Sequence, residues 1–346
     1  MLMEKLKGLA TGVGSLPCQD ADSALDLIFK YLPNIPFWPQ LPRRDLREGM
    51  IAQFSENIPC IKINDSGVYF DPEGKDVSLE KFYERAIAED FEYFKVSDTY
   101  ASGLYKFYER LTRLDLKEIN FIKLQVTGPF TFAAGFSDQS GISLLHDKVL
   151  MQAILKALKM KAIWQVNKFK VFGKKIILFI DEPYLGCFGS AYTPINRETV
   201  ISSLLEFSEG LKSKDVLLAV HCCGNTDWSM FTETRDIDII SFDAFDYQDK
   251  FVLYADDIKS FLGRGGIICW GIVPTQDFTG KENVELLIGK IRKGITSLVN
   301  KGIDKELLED RLLISPACGL GTFSLKKATE ILQLLSDTSD YIINNL

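Results

Sequence analysis

The sequence predicts an α/β fold, a single-domain (β/α)8 TIM barrel spanning residues 1–346 with a β-hairpin inserted after the second strand. Three observations predict it. Eight short apolar runs alternate with longer stretches of helical periodicity. Parallel neighbours need a crossover, normally helical, so strict alternation implies a parallel sheet. The residues able to do chemistry fall where those runs end, the edge at which a barrel of this class carries its active site.

Taken in order, Leu9 to Val13 reads as the first strand, stopped by Gly14-Ser15-Leu16-Pro17, with Asp20 or Asp22 capping a helix from about Ala21 to Tyr31. Phe37 to Pro42 is a second, proline-punctuated strand. Residues 60–73 alternate around Asp65-Ser66-Gly67 and read as the inserted hairpin. Ser78 to Phe94 and Ala101 to Leu111 are amphipathic at helical spacing. Phe121 to Thr127 is a third strand, closed by Gly128-Pro129, and a long helical pattern from Ser143 to Phe172 ends at Gly173. Lys175 to Ile180, Val216 to Val220, Ile237 to Phe242, Gly266 to Val273 and Leu312 to Ser315 complete the eight. Asn196 and Ser324 open helices between and after them.

The 346 residues are 46% hydrophobic and 25% charged, enough apolar material for one large core. A net charge of −7, with no basic stripe, argues against a nucleic-acid partner. Seven cysteines, an odd number without an export signal, fit a reducing cytoplasm better than a disulfide scaffold. No run of about 18 apolar residues exists to cross a membrane.

The most informative stretch is Val220-His221-Cys222-Cys223-Gly224-Asn225. His221 and Cys223 are two apart at a strand end and share a face, so an imidazole and a thiol there are half of a zinc site. Cys318, after the eighth strand, and Asp243, closing the sixth, are the third and fourth candidate ligands, with Asp246 as a substitute for Asp243. Ligands spread this widely converge only through the fold, which favours a catalytic over a structural Zn2+. Asp181, at the end of the fourth strand, is placed for catalysis or substrate binding, though an acid there also serves as a helix cap. The Gly14-Ser15 amides suit an anion, while the same residues also make a plain tight turn. Arg43 and Arg44 are candidate clamps for a carboxylate, phosphate or sulfonate, or a solvated helix start. A sulfur-rich zinc with an exchangeable ligand suits activation of a small-molecule thiol, which makes alkyl transfer to sulfur the natural reaction.

Val13-Gly14-Ser15, Thr127-Gly128-Pro129-Phe130-Thr131, Ile180-Asp181-Glu182-Pro183, His221-x-Cys223, Asp238 to Asp243 and Cys318-Gly319-Leu320 resemble, in order and over nearly the whole chain, the catalytic half of cobalamin-independent methionine synthase. They also resemble methylcobamide:coenzyme M methyltransferases, within the superfamily that includes uroporphyrinogen decarboxylase. The resemblance implies zinc on His221, Cys223 and Cys318, with Asp243 in the position of the family's glutamate. It further implies a thiol amino acid held by the Gly14-Ser15 amides and Asp181; Thr127 is a further substrate-site candidate, whereas the stretch carrying Arg43 and Arg44 resembles the decarboxylase's arginine-bearing strand end and favours a more anionic thiol. The expected activity is methylation of a thiol, homocysteine first, from a methyl-corrinoid protein or a methyl-folate. The rival expectations are coenzyme M or another anionic thiol as acceptor, or a metal-free lyase like the decarboxylase. These 346 residues are expected to leave no room for the methionine synthase's N-terminal barrel, and the family's Gly-Glu-Pro-Glu-Arg segment is not found among them.

Overall fold

In the computed structural model, which describes residues 6–138, 140–190, 193 and 195–346, the expected hairpin is the first regular sheet. Strands β1 (Ile61–Asn64) and β2 (Gly67–Phe70) pair antiparallel, and Asn64 Oδ1 accepts the Ser66 N–H within the turn. The remaining strands are β3 (Phe121–Thr127), β4 (Lys175–Asp181), β5 (Val216–Cys222), β6 (Ile239–Asp243), β7 (Ile267–Val273) and β8 (Leu312–Pro316). They form one six-stranded parallel half-barrel sheet in chain order, with helices in every connection.

A closed (β/α)8 barrel is therefore not what the chain builds, and that expectation is corrected. The two runs read as first and second strands are extended segments that make only isolated parallel bridges, Ala10 to Ile314, Ser15 to Gln40 and Phe37 to Lys123. The cause lies in their composition. Pro36, Pro39 and Pro42 have no N–H to give a ladder, and glycine at positions 8, 12 and 14 weakens a strand. At Gly12 the lack of a side chain is required, since a Cβ there would lie 2.3 Å from the Phe37 ring.

The β-branched runs of β3 to β8 bury alternate residues on two sides, as a period of two demands. Phe121, Ile177, Phe179, Ala219, Ile239, Ile267, Cys269 and Leu313 pack with Leu6, Leu9 and Ile35 on the concave side. Their even-numbered neighbours, among them Ile122, Leu178, Val220, Ile240 and Ile314, pack against the helices. Of the expected caps, Asp20, Asn196 and Ser324 each accept a hydrogen bond from their helix, and Gly173 closes one in the left-handed conformation with φ +65°. The long helix starts later than its periodicity predicts, at Lys148–Phe169, because Asp147 caps it. Behind β5, Asp227 Oδ1 accepts the Ser229 N–H at the start of the short helix Ser229–Glu233. Among the described residues, no helix is long and apolar enough to cross a membrane.

Candidate metal centre and its cavity

β5 delivers His221 on the concave side, in step with Leu217 and Ala219, while Cys222 turns to the opposite side and packs in the helix-facing core. Cys223 follows immediately and regains His221's side. Cys318 stands two residues beyond β8. One ligand atom from each of His221, Cys223 and Cys318 lies within 4.8 Å of the others, so the three are spaced to hold a metal ion. The imidazole is buried, with Nδ1 3.0 Å from the Ser241 hydroxyl and Nε2 without a hydrogen-bond partner. Donation from Nδ1 to Ser241 leaves the Nε2 lone pair free, the tautomer a metal ligand needs.

A hydrogen bond from Cys223, reinforced by His221, lowers the Cys318 thiol below its ordinary value against the opposing effect of burial. The same bond, together with burial, pushes Cys223 well above the ordinary thiol value. Two sulfurs and an orphaned imidazole nitrogen are a donor set suited to a borderline-soft divalent cation.

Asp243 ends β6 and lines the same cavity but lies outside this trio, so the structure brings together three of the four expected ligands. The carboxylate is otherwise engaged: Oδ1 accepts the Asp246 N–H at 3.0 Å and caps the helix Ala244–Phe251. Burial pushes its pKa up to about 6. Asp246 itself is exposed and contributes only that N–H, so it does not replace Asp243.

The cavity has a volume of about 680 Å³. Asp181 lines it from the end of β4, where it sits in register with Thr127 on one side and His221 on the other. Its Oδ1 is buried and unpartnered, and burial raises its pKa against the opposing pull of Lys123. Lys123 is fully buried on the concave side, lowered to about 8 by that burial, and donates to the Val13 carbonyl at 2.7 Å. The neighbouring Glu182 is a structural acid that accepts from Phe130 N, Thr131 N and Thr131 Oγ1 at the start of the helix Pro129–Ala134.

The other expected substrate residues divide sharply. Ser15 lines the cavity, but its hydroxyl accepts from Gly321 N at 3.1 Å and its carbonyl from Leu320 N at 2.9 Å, clasping the segment that carries Cys318. Gly14 lies just behind, accepting from Gln40 N at 3.0 Å. Arg43 also lines the cavity, yet it donates to the carbonyls of Gly321 at 3.1 Å and Thr322 at 2.7 Å and braces that segment too. Arg44 is outside, ion-paired with the buried carboxylate of Glu48. Thr127 is also outside, tying β3 to the Met50 carbonyl at 2.7 Å. Gln40, Glu48, Lys123 and Ser241 were not singled out by sequence. Of these only Ser241 carried a signal, since it shares Asp243's side of β6 two residues earlier.

No protein-family model matches the chain, and no curated protein matches it.

Proposed function

We propose that the protein is a zinc-dependent thiol S-methyltransferase with homocysteine as its leading acceptor and a methyl-corrinoid or methyl-folate as donor. The observation that carries the reading is the His221, Cys223 and Cys318 trio, with its orphaned Nε2, opening onto a cavity large enough for a thiol amino acid. Bound there, zinc would supply the Lewis acidity that lowers a substrate thiol's pKa and keeps its sulfur as thiolate at neutral pH. His221, Cys223 and Cys318 would hold the ion, with Ser241 fixing the imidazole. The substrate thiol gives up its proton, with the Asp243 oxygen not engaged by Asp246 as acceptor. Its sulfur then bonds the methyl carbon while the donor leaves with the electrons of the broken bond. Asp181 offers an unpartnered carboxylate oxygen to the substrate's polar end. The lyase alternative asks arginines to grip substrate carboxylates, whereas Arg43 gives two of its donors to backbone carbonyls and Arg44 is paired with Glu48 outside the cavity.

X-ray absorption at the zinc edge tests the reading. Adding homocysteine is expected to increase the number of sulfur neighbours, and Cys318→Ser is expected to lose both the metal and thiol methylation. A sulfur count unmoved by any thiol, or full activity in Cys318→Ser, refutes it.

A further inference from the structure

Two glutamines behind the cavity wall form a hydrogen-bonded relay with only one permitted direction. The Tyr100 backbone carbonyl can only accept, and it accepts from Gln53 Nε2 at 2.8 Å. The Gln53 oxygen must then face the other way, where it accepts from Gln40 Nε2 at 2.6 Å. Gln40 is thereby compelled to turn its own Oε1 outward. Reversing both amides would set the Gln53 oxygen against the Tyr100 carbonyl in a buried site, leaving both acceptors unsatisfied. Gln40 lines the cavity, and its Oε1 takes no hydrogen bond among the described residues. It lies over the Cα of Gly14, where a Cβ would come within 2.7 Å of it. A second acceptor without a partner among the described residues, the Asp181 Oδ1, lines the same cavity. Arg43, which also lines the cavity, gives its Nε hydrogen to Gly321 and one Nη2 hydrogen to Thr322.

We infer that Gln40, oriented by Gln53, is a specificity-determining acceptor for a primary ammonium group, so that the cavity selects amino thiols over thiols whose far end is purely anionic. An ammonium carries three N–H donors and no acceptor, the complement of this wall, whereas a carboxylate or sulfonate placed there would face oxygen lone pairs. Gln40 would touch the substrate, while Gln53 is a positioning residue acting through it. The inference rests on the thiol reading above for the identity of the reacting end.

Calorimetric titration of the zinc-loaded protein with homocysteine and with 4-mercaptobutyrate, which lacks only the amine, tests it. The wild type is expected to bind homocysteine at least about tenfold more tightly, the size of one hydrogen bond to a charged group. Gln40→Leu is expected to bring the two affinities close together by weakening homocysteine alone. Gln53→Leu, which frees the Gln40 amide to flip, should erode the same ratio without touching the ligand. Gln40→Glu keeps an acceptor in place and should retain the preference. Equal affinities in the wild type, or equal weakening of both thiols in Gln40→Leu, overturns the inference. If neither thiol binds, the thiol reading fails by itself, and 2-aminobutyrate against butyrate, the same comparison without sulfur, still decides the ammonium subsite.

Discussion

Replacing Ser241 with alanine isolates the contribution of a single hydroxyl to the metal centre. The Ser241 oxygen lies 3.0 Å from His221 Nδ1 in a buried setting, and Nε2 has no hydrogen-bond partner within normal distance among the described residues. In Ser241→Ala the ring proton has nowhere to go at Nδ1, so the metal-free protein relaxes by moving it to Nε2, beside the two sulfurs. Metal binding must then drive it back and leave a buried N–H unsatisfied. That costs about 1–3 kcal/mol, equivalent to about 5- to 150-fold in Kd, and it brackets the loss of about 10–100-fold typical when such a supporting partner is removed. Competition for zinc against a chromophoric chelator reads the change directly. Ser241→Thr keeps the hydroxyl and is expected to retain most of the affinity. Zinc affinity in Ser241→Ala within about twofold of wild type would refute the assignment of Nε2 as the ligand atom, since a penalty of this kind cannot be that small.

Two further outcomes concern the scaffold beneath the site. Burial raises Glu182 from 4.5 to about 7 in the folded protein, so the native state holds a proton that the unfolded chain has released. This stability contribution is full below pH 4.5 and is lost as pH rises through 7, by up to about 3 kcal/mol; denaturant unfolding of Glu182→Gln should lack that slope, and an identical pH profile in both proteins would count against it. Gly128→Ala would place a Cβ 2.2 Å from the Glu182 carboxyl, which three hydrogen bonds hold in place. A loss of about 1–3 kcal/mol is expected, and much of it should vanish in a Glu182→Ala background; simple additivity of the two substitutions would show that the clash is not with Glu182.

Sequence made the convergence of His221, Cys223 and Cys318 legible because parity along a strand and the parallel order of strands are both written in local pattern. His221 and Cys223 share a side by spacing alone, and Cys318 follows a run that had to lie in the same sheet. The six continuous β-branched runs were legible for the same reason, and so was the hairpin. What failed was the assumption that any apolar run in the right place joins the ladder. Leu9 to Val13 and Phe37 to Pro42 occupy positions beside the sheet, but glycine and proline leave them bonded at single points. The roles of polar side chains were the least readable. Arg43, Ser15 and Asp243 all reach the cavity as expected, yet each spends donors or acceptors on backbone groups that only the folded chain brings near. Gln40 acquires its meaning from Gln53 and Tyr100, whose approach no spacing announces.

The segment bearing Cys318 is fastened by Ser15 and Arg43, from the opposite end of the polypeptide, while His221 and Cys223 belong to the middle. A ribosome emitting this chain therefore presents an imidazole and one sulfur long before the last sulfur exists, and two donors alone grip an ion weakly. On the proposed metal reading, acquisition would be a late event in the life of each molecule, coupled to the moment when the early turn captures the final strand's trailing loop. Loss of that clasp would leave a protein that is largely folded and yet without a complete donor set.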